Sequence, residues 1–134
     1  MPQAKYPHMK KGEAAVWDRF LAQMPWNVVS VLYDVRLGEG ARVDDGVPDW
    51  VKRMAWALST KRVDVLVETP LEFIIVEVKP RGALSAIGQL LGYLVLFQRQ
   101  FHPQKRVRLA LVCERVAPDM TPILSEYGIE TYVV

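Results

Sequence analysis

The chain holds a single cysteine, Cys113, and only two histidines among its 134 residues. An internal disulfide is excluded, and so is a zinc or iron–sulfur site built from four cysteines. A lone cysteine here reads as a buried core thiol. No apolar run approaches the 18 or so residues of a membrane span. The first twelve residues are polar and basic, with no signal-peptide core, so a cytoplasmic location is the default expectation. Repeats and low-complexity tracts are missing too. The net charge is only +2, which permits a nucleic-acid partner without requiring one.

What remains has the make-up of one globular domain, 51% hydrophobic and 24% charged, and it is long enough to bury a single core. Residues 1–11 (MPQAKYPHMKK) are expected to form a loose basic arm, and residues 12–134 one domain. Val16, Trp17, Phe20, Leu21 and Met24 recur at helical spacing, predicting a helix from Gly12 that Pro25 ends. Trp26 to Leu37 reads as a strand, Gly38 to Val47 as a loop, and Pro48 to Leu58 as a short helix. Two strands follow, Arg62 to Glu68 and Phe73 to Lys79, joined by a turn over residues 69–72. Pro80 is expected to stop the second. A long helix over 83–101, a strand over 106–114, a helix over 118–127 capped by Gly128 and a strand over 129–134 complete the chain. This order indicates an α/β fold, a mixed sheet flanked by helices.

The strand Phe73–Lys79 (FIIVEVK) is nearly continuous apolar and should be buried on both faces. Glu77 and Lys79 therefore need a reason, because an ion taken out of water costs several kcal/mol. They are either solvated where the strand reaches the surface, or held there for chemistry. The preceding strand bears on the choice. A four-residue turn over 69–72 pairs position 64 with 77, so Asp64 faces Glu77 with Cβ atoms about 5 Å apart. Pro70 rules out a two-residue type I′ turn, and a four-residue loop over 69–72 keeps the parity. Two facing carboxylates repel, and a divalent cation between them resolves the conflict. Hard oxygen ligands suit Mg²⁺ or Mn²⁺. Lys79, two residues on, is placed to act on a metal-bound water or a phosphate, or simply to pair with Asp64 or Glu77.

Two helices add candidates. Glu13 shares a face with Val16, Trp17 and Phe20, either as a solvated acid of the first turn or as part of a metal shell. Gln89 and Tyr93 are four apart on the long helix, whose start lies close to the end of the strand carrying Lys79. Gln89 is either a surface residue or one that orients a water or a phosphate oxygen.

Together these residues resemble the PD-(D/E)XK nuclease superfamily. Asp64, twelve residues, then Glu77-Val78-Lys79 is similar to its D…E-x-K core. Gln89-Leu90-Leu91-Gly92-Tyr93 resembles the Q-x-x-x-Y motif of its RecB-type branch, and Glu13 its helical glutamate. The resemblance covers nearly the whole chain, and the small members it is most similar to are junction resolvases and phage nucleases. It implies a restriction-endonuclease-like core, α-β-β-β-α-β, here with a further C-terminal helix and strand. It implies Asp64, Glu77 and the carbonyl of Val78 as metal ligands, with Glu13 joining them. Lys79 would be the catalytic lysine, supported by Gln89. Val63 replaces the proline that names the family. The single cysteine excludes the iron–sulfur cluster of some RecB-type relatives.

The expected activity is Mg²⁺- or Mn²⁺-dependent hydrolysis of DNA phosphodiester bonds, directed by DNA structure or ends, with a homodimer as the expected assembly. Tyr93, Lys61, Arg62 and Arg81 are candidate DNA contacts, with Arg99, Lys105 and Arg106 as further cations. The alternative is a catalytically silent relative that binds nucleic acid or serves as an assembly subunit.

Overall fold

The computed structural model describes Tyr6 and residues 8–38, 46–53 and 61–134; the side chain of Lys61 lies outside the described set. Helix α1 (Lys11–Ala22) and strand β1 (Ser30–Leu37) come first. Strands β2 (Lys61–Glu68) and β3 (Glu72–Gly82) follow, then helix α2 (Leu84–Phe101), strand β4 (Arg106–Val116), helix α3 (Met120–Glu126) and strand β5 (Ile129–Val133). The strands form one sheet in the order β1-β2-β3-β4-β5. The first two pairings are antiparallel and the last two parallel. Parallel neighbours need a crossover, and α2 and α3 supply the two that this order requires.

The sheet is covered on both sides. Ile87, Leu90 and Phe97 of α2 and Leu124 of α3 pack with Ile75, Leu109 and Leu111 on one face. Val16, Trp17 and Phe20 of α1 pack with Val65, Val76, Val78 and Val112 on the other. Each of those α1 side chains is buried and contributes roughly 1.5–3 kcal/mol of transfer free energy. Strand β3 lies in the middle, buried from Ile74 through Val78, as its apolar run predicts. Cys113 is a buried free thiol, and burial raises its pKa.

The structure departs from the sequence expectations at three places. Strand β1 begins at Ser30 rather than Trp26, because Trp26 is used in packing: its ring lies against Phe20 and Tyr132, and its Nε1–H donates to the Tyr132 hydroxyl at 3.3 Å. Pro80 does not stop β3, which continues to Gly82. The β2–β3 ladder ends at Val76, while β3 stays paired to β4 through Gly82, so Pro80 lies where one side of the strand has no ladder to lose. The arm expected over 1–11 is packed down at Tyr6, which is buried, rests on Tyr33 at 5.0 Å between ring centroids, and donates its hydroxyl to Asp18. Of the helix expected over 48–58, residues 49–53 are helical and 54–58 lie outside the described residues. Among the described residues no helix is long and apolar enough to cross a membrane.

Candidate active site

The β2–β3 turn closes with the Thr69 N–H donating to the Glu72 carbonyl at 2.9 Å. The ladder pairs Glu68 with Phe73, Val67 with Ile74, Leu66 with Ile75 and Val65 with Val76. This is the register that the four-residue turn predicts, and Asp64 and Glu77 are the next positions along it. The ladder stops just short of them. The Val78 N–H donates instead to Asp64 Oδ2 at 2.9 Å, so the carboxylate takes over the acceptor role of a backbone carbonyl. The two strands part at that point, and the two carboxyl groups meet in the opening.

Glu77 is 1% exposed and hydrogen-bonded to Asp64, which is half-buried. Burial, and then the charge of Asp64, push the Glu77 carboxyl up to about 9. Burial also raises Asp64, while its hydrogen bonds to Glu77 and to the Val78 N–H pull the other way. The pair thus holds a shared proton at neutral pH, because two adjacent buried carboxylates do not both ionise without a compensating charge.

Lys79 brings a cation to the edge of this pair. Its Nζ lies 3.6 Å from Glu13 Oε2 and 4.0 Å from Glu77 Oε2. Glu13 reaches it because α1 starts against the end of β3. The close approach is made at Gly12, where a Cβ would stand 3.2 Å from Pro80 Cγ. The Lys10 N–H donates to Glu13 Oε1 at 3.1 Å, so one oxygen of Glu13 caps the helix while the other faces Lys79. Glu13 is buried, not solvated. Among the described residues no three His, Cys, Asp or Glu side chains converge on one point. Glu13 lies against Lys79, and its charge also reaches the facing carboxyls Asp64 and Glu77, raising both.

A residue that sequence reasoning missed lies on the β1 side. Asp34 sits between the pairs Tyr33–Val65 and Val35–Val63, beside Asp64, with φ of +55°. Its carboxylate lies 2.9 Å from His8 Nε2 and 3.6 Å from an Arg62 nitrogen. A second Arg62 contact runs to His8 Nδ1 at 3.0 Å. A cavity of about 240 Å³ opens here, lined by Tyr6, His8, Met9, Tyr33, Asp34 and Asp64. A charged residue inside an apolar strand was the signal that singled out β3, and Asp34 in β1 carries the same signal.

Gln89 is exposed on α2, and Tyr93, one turn on, is buried. The charges of Glu77 and Asp64, added to burial, raise the Tyr93 phenol. Arg81 is exposed at the end of β3 where the carboxylates lie. Arg62 is near the site but tied to Asp34 and His8. Lys105 and Arg106 belong to the opposite end of the sheet. Lys105 donates to the carbonyl of Thr69 and pairs with Glu68, and Arg106 lies beside Glu72 in the β3–β4 register. Arg99 is in the last turn of α2, far along that helix from Gln89. These three cations do not join the cluster.

The donor set matches a hard divalent cation. Two adjacent carboxyls that share a proton because they are buried and close together offer oxygen ligands to Mg²⁺ or Mn²⁺, and backbone oxygen, water and phosphate complete such a shell.

No family model matches this sequence, and no curated protein does. Solved structures with this fold include an EndoMS–dsDNA complex, which matches over 99% of this chain at 18% identity with a TM-score of 0.52. A repair endonuclease from Pyrococcus abyssi matches over 90% of it at 18% identity with a TM-score of 0.50. The chain spans 48% and 46% of the length of those two chains, about half of each. The shared feature is the fold, a mixed five-stranded sheet flanked by helices.

Proposed function

We propose that this protein is a metal-dependent DNA nuclease of the PD-(D/E)XK type that hydrolyses phosphodiester bonds at the opening between β2 and β3. One observation carries the reading: Asp64 and Glu77, both withdrawn from water, face each other where the ladder parts, with the Lys79 ammonium beside them. The repair-endonuclease likeness of the fold supports it.

Asp64 and Glu77 would hold the cation, with the Val78 carbonyl as a further oxygen ligand. Bound there, Mg²⁺ or Mn²⁺ supplies charge neutralisation and a water of lowered pKa. Lys79 sets a fixed positive charge where the pentavalent phosphate gains negative charge. Glu13 positions Lys79 and holds its own place through the helix cap. Gln89 and Tyr93 present an amide and a phenol from α2 toward the bound strand, and Arg81 offers a phosphate contact. Among the described residues, the sheet and its three flanking helices account for nearly all regular structure. That favours recognition of DNA structure or ends over a long sequence read in the major groove. A homodimer acting on two strands belongs to the same proposal, and sedimentation velocity with and without branched DNA tests it.

The direct test is incubation of purified protein with plasmid, linear and branched DNA, with Mg²⁺, with Mn²⁺ and with EDTA. Cleavage in the first two conditions and none in the third is the expected result. Binding without cleavage, unchanged by Lys79→Ala, would establish the silent binding module instead.

The role given to Glu13 makes its own prediction. Glu13→Gln keeps an acceptor for the Lys10 N–H and removes the charge facing Lys79. It is expected to lower kcat about tenfold with KM and melting temperature close to wild type. A loss confined to melting temperature would reduce Glu13 to a helix cap.

A further inference from the structure

Asp34 stands in the middle of strand β1 with φ of +55°, in the left-handed region. Glycine adopts that conformation freely, other residues only at a cost, and a strand interior has no use for it. The register on either side, Tyr33 with Val65 and Val35 with Val63, sets Asp34 across from Asp64, yet no pairing joins the two. Asp34, Asp64 and Glu77 thus occupy one row across β1, β2 and β3. At that row the β1–β2 ladder is interrupted, and just before it the β2–β3 ladder ends.

In place of the ladder, Asp34 makes a triangle of polar contacts. Its Oδ2 lies 2.9 Å from His8 Nε2, and its Oδ1 lies 3.6 Å from a terminal nitrogen of Arg62. The same Arg62 nitrogen lies 3.0 Å from His8 Nδ1. A guanidinium only donates, so His8 Nδ1 accepts, and the ring proton sits on Nε2, which donates to Asp34. Carboxylate and imidazole therefore grip one nitrogen of the Arg62 fork from two directions.

Stability does not account for the triangle. The side chains of Arg62 and His8 are 39% and 51% exposed, and ion pairs at such exposure contribute little. A left-handed residue other than glycine destabilises by more than such a pair stabilises. Nor is the triangle needed to hold the N-terminal residues down, since Tyr6 is buried against Tyr33 and bonded to Asp18 without Asp34. Arg62 lies two residues before Asp64 on β2, and its contact with Asp34 is toward β1, the side away from Lys79 on β3. Burial raises the Tyr93 phenol, Glu77 and Asp64 raise it further, and Arg62 lowers it. One phenol thus senses Arg62 and the carboxylate pair together.

We propose that Asp34 and His8 are positioning residues that hold the Arg62 guanidinium as a clamp for a phosphate of the bound DNA strand, on the flank of the cleavage site opposite Lys79. This rests on the nuclease reading above and adds how the strand is fixed on the β1 side. Arginine takes a phosphate through parallel N–H donors, so its orientation matters as well as its charge. Asp34 lowers the net positive charge of the clamp. What it contributes is therefore orientation, not attraction.

The substitution Asp34→Gly separates this role from a structural one by sign. Glycine accepts a φ of +55°, so the melting temperature should hold or rise. The kcat of Mg²⁺-dependent cleavage should fall about tenfold. Affinity for short DNA duplexes, measured by fluorescence anisotropy in EDTA, should hold or rise, because a negative charge has left the path of the phosphates. Arg62→Ala should lower cleavage at least as far, weaken DNA binding, and reduce the slope of log affinity against log salt by about one. Adding Asp34→Gly to Arg62→Ala should change cleavage no further, since Asp34 acts through Arg62. His8→Gln offers an acceptor to Arg62 and a donor to Asp34, and should keep most of the kcat that His8→Leu loses. A wild-type kcat in Asp34→Gly overturns the proposal and leaves the nuclease reading intact. So does a lowered melting temperature in that variant, which would make Asp34 a structural residue. So does a further loss in the double variant, or an equal loss in the two His8 variants. A wild-type protein that does not cut DNA overturns both readings.

Discussion

Asp64→Asn is expected to lower Mg²⁺-dependent DNA cleavage on the order of a thousandfold while the protein stays folded. The side-chain amide keeps an oxygen at the place where Asp64 Oδ2 accepts the Val78 N–H, so the local backbone loses no hydrogen bond. What is removed is one of two negative charges that would hold the cation and, through it, the phosphate. Lys79→Met should cause a loss of similar order by a different route. It takes away the charge beside Glu77 and Glu13 and leaves both carboxylates in place. The two variants differ in one readout. Asp64→Asn should weaken Mn²⁺ binding measured by calorimetry, and Lys79→Met should leave it intact or tighten it. If cleavage survives both substitutions, any activity of this protein arises elsewhere on its surface.

The second large effect concerns pH. The Glu77 carboxyl sits at about 9 in the folded, metal-free protein against an ordinary value of 4.5. Below 4.5 both folded and unfolded states hold the proton, and the contribution to stability is complete. Between 4.5 and 9 the folded state keeps a proton that the unfolded chain has lost, so stability falls as pH rises, by up to about 1.4 kcal/mol per pH unit. Asp64, raised by burial, acts with the same sign. Glu68 and Glu130, held low by Lys105 and Arg108, act with the opposite sign, but below the ordinary value of 4.5. The carboxylate pair is therefore left to dominate the neutral range among the shifted carboxyls. Urea unfolding in EDTA between about pH 5 and 8 should show this decline, and Glu77→Gln should flatten it. Saturating Mg²⁺ should stabilise wild type progressively more as pH rises, because the ligands must shed their proton to bind it. Equal slopes for wild type and Glu77→Gln would mean that the pair does not share a proton.

Much of this arrangement was legible along the chain because it depends on periods of two and of 3.6. The parity of the turn over 69–72 placed Asp64 in register with Glu77, and the β2–β3 ladder runs in that register. The apolar run of β3 announced a central strand, and the spacing of Val16, Trp17 and Phe20 announced the face on which α1 packs. Gly128, with φ of +69°, ends α3 as its position suggested. Pro80 misled because a missing N–H matters only where a neighbouring strand needs it, and β2 has left the ladder before that point.

Residue order alone thus settled which side chains share a strand face and which positions oppose each other across a tight turn, since both follow from local geometry. It also singled out Glu77 as a charge that an apolar strand would have to justify. Only the folded molecule decided that Glu13 reaches Lys79, that Asp34 and His8 stand beside Asp64, and that Lys105 and Arg106 belong to the far end of the sheet. Those relations link segments far apart in the chain, and no period reaches across such distances. They depend on how α1 and β1 dock on the sheet, which is set by the packing of the whole core.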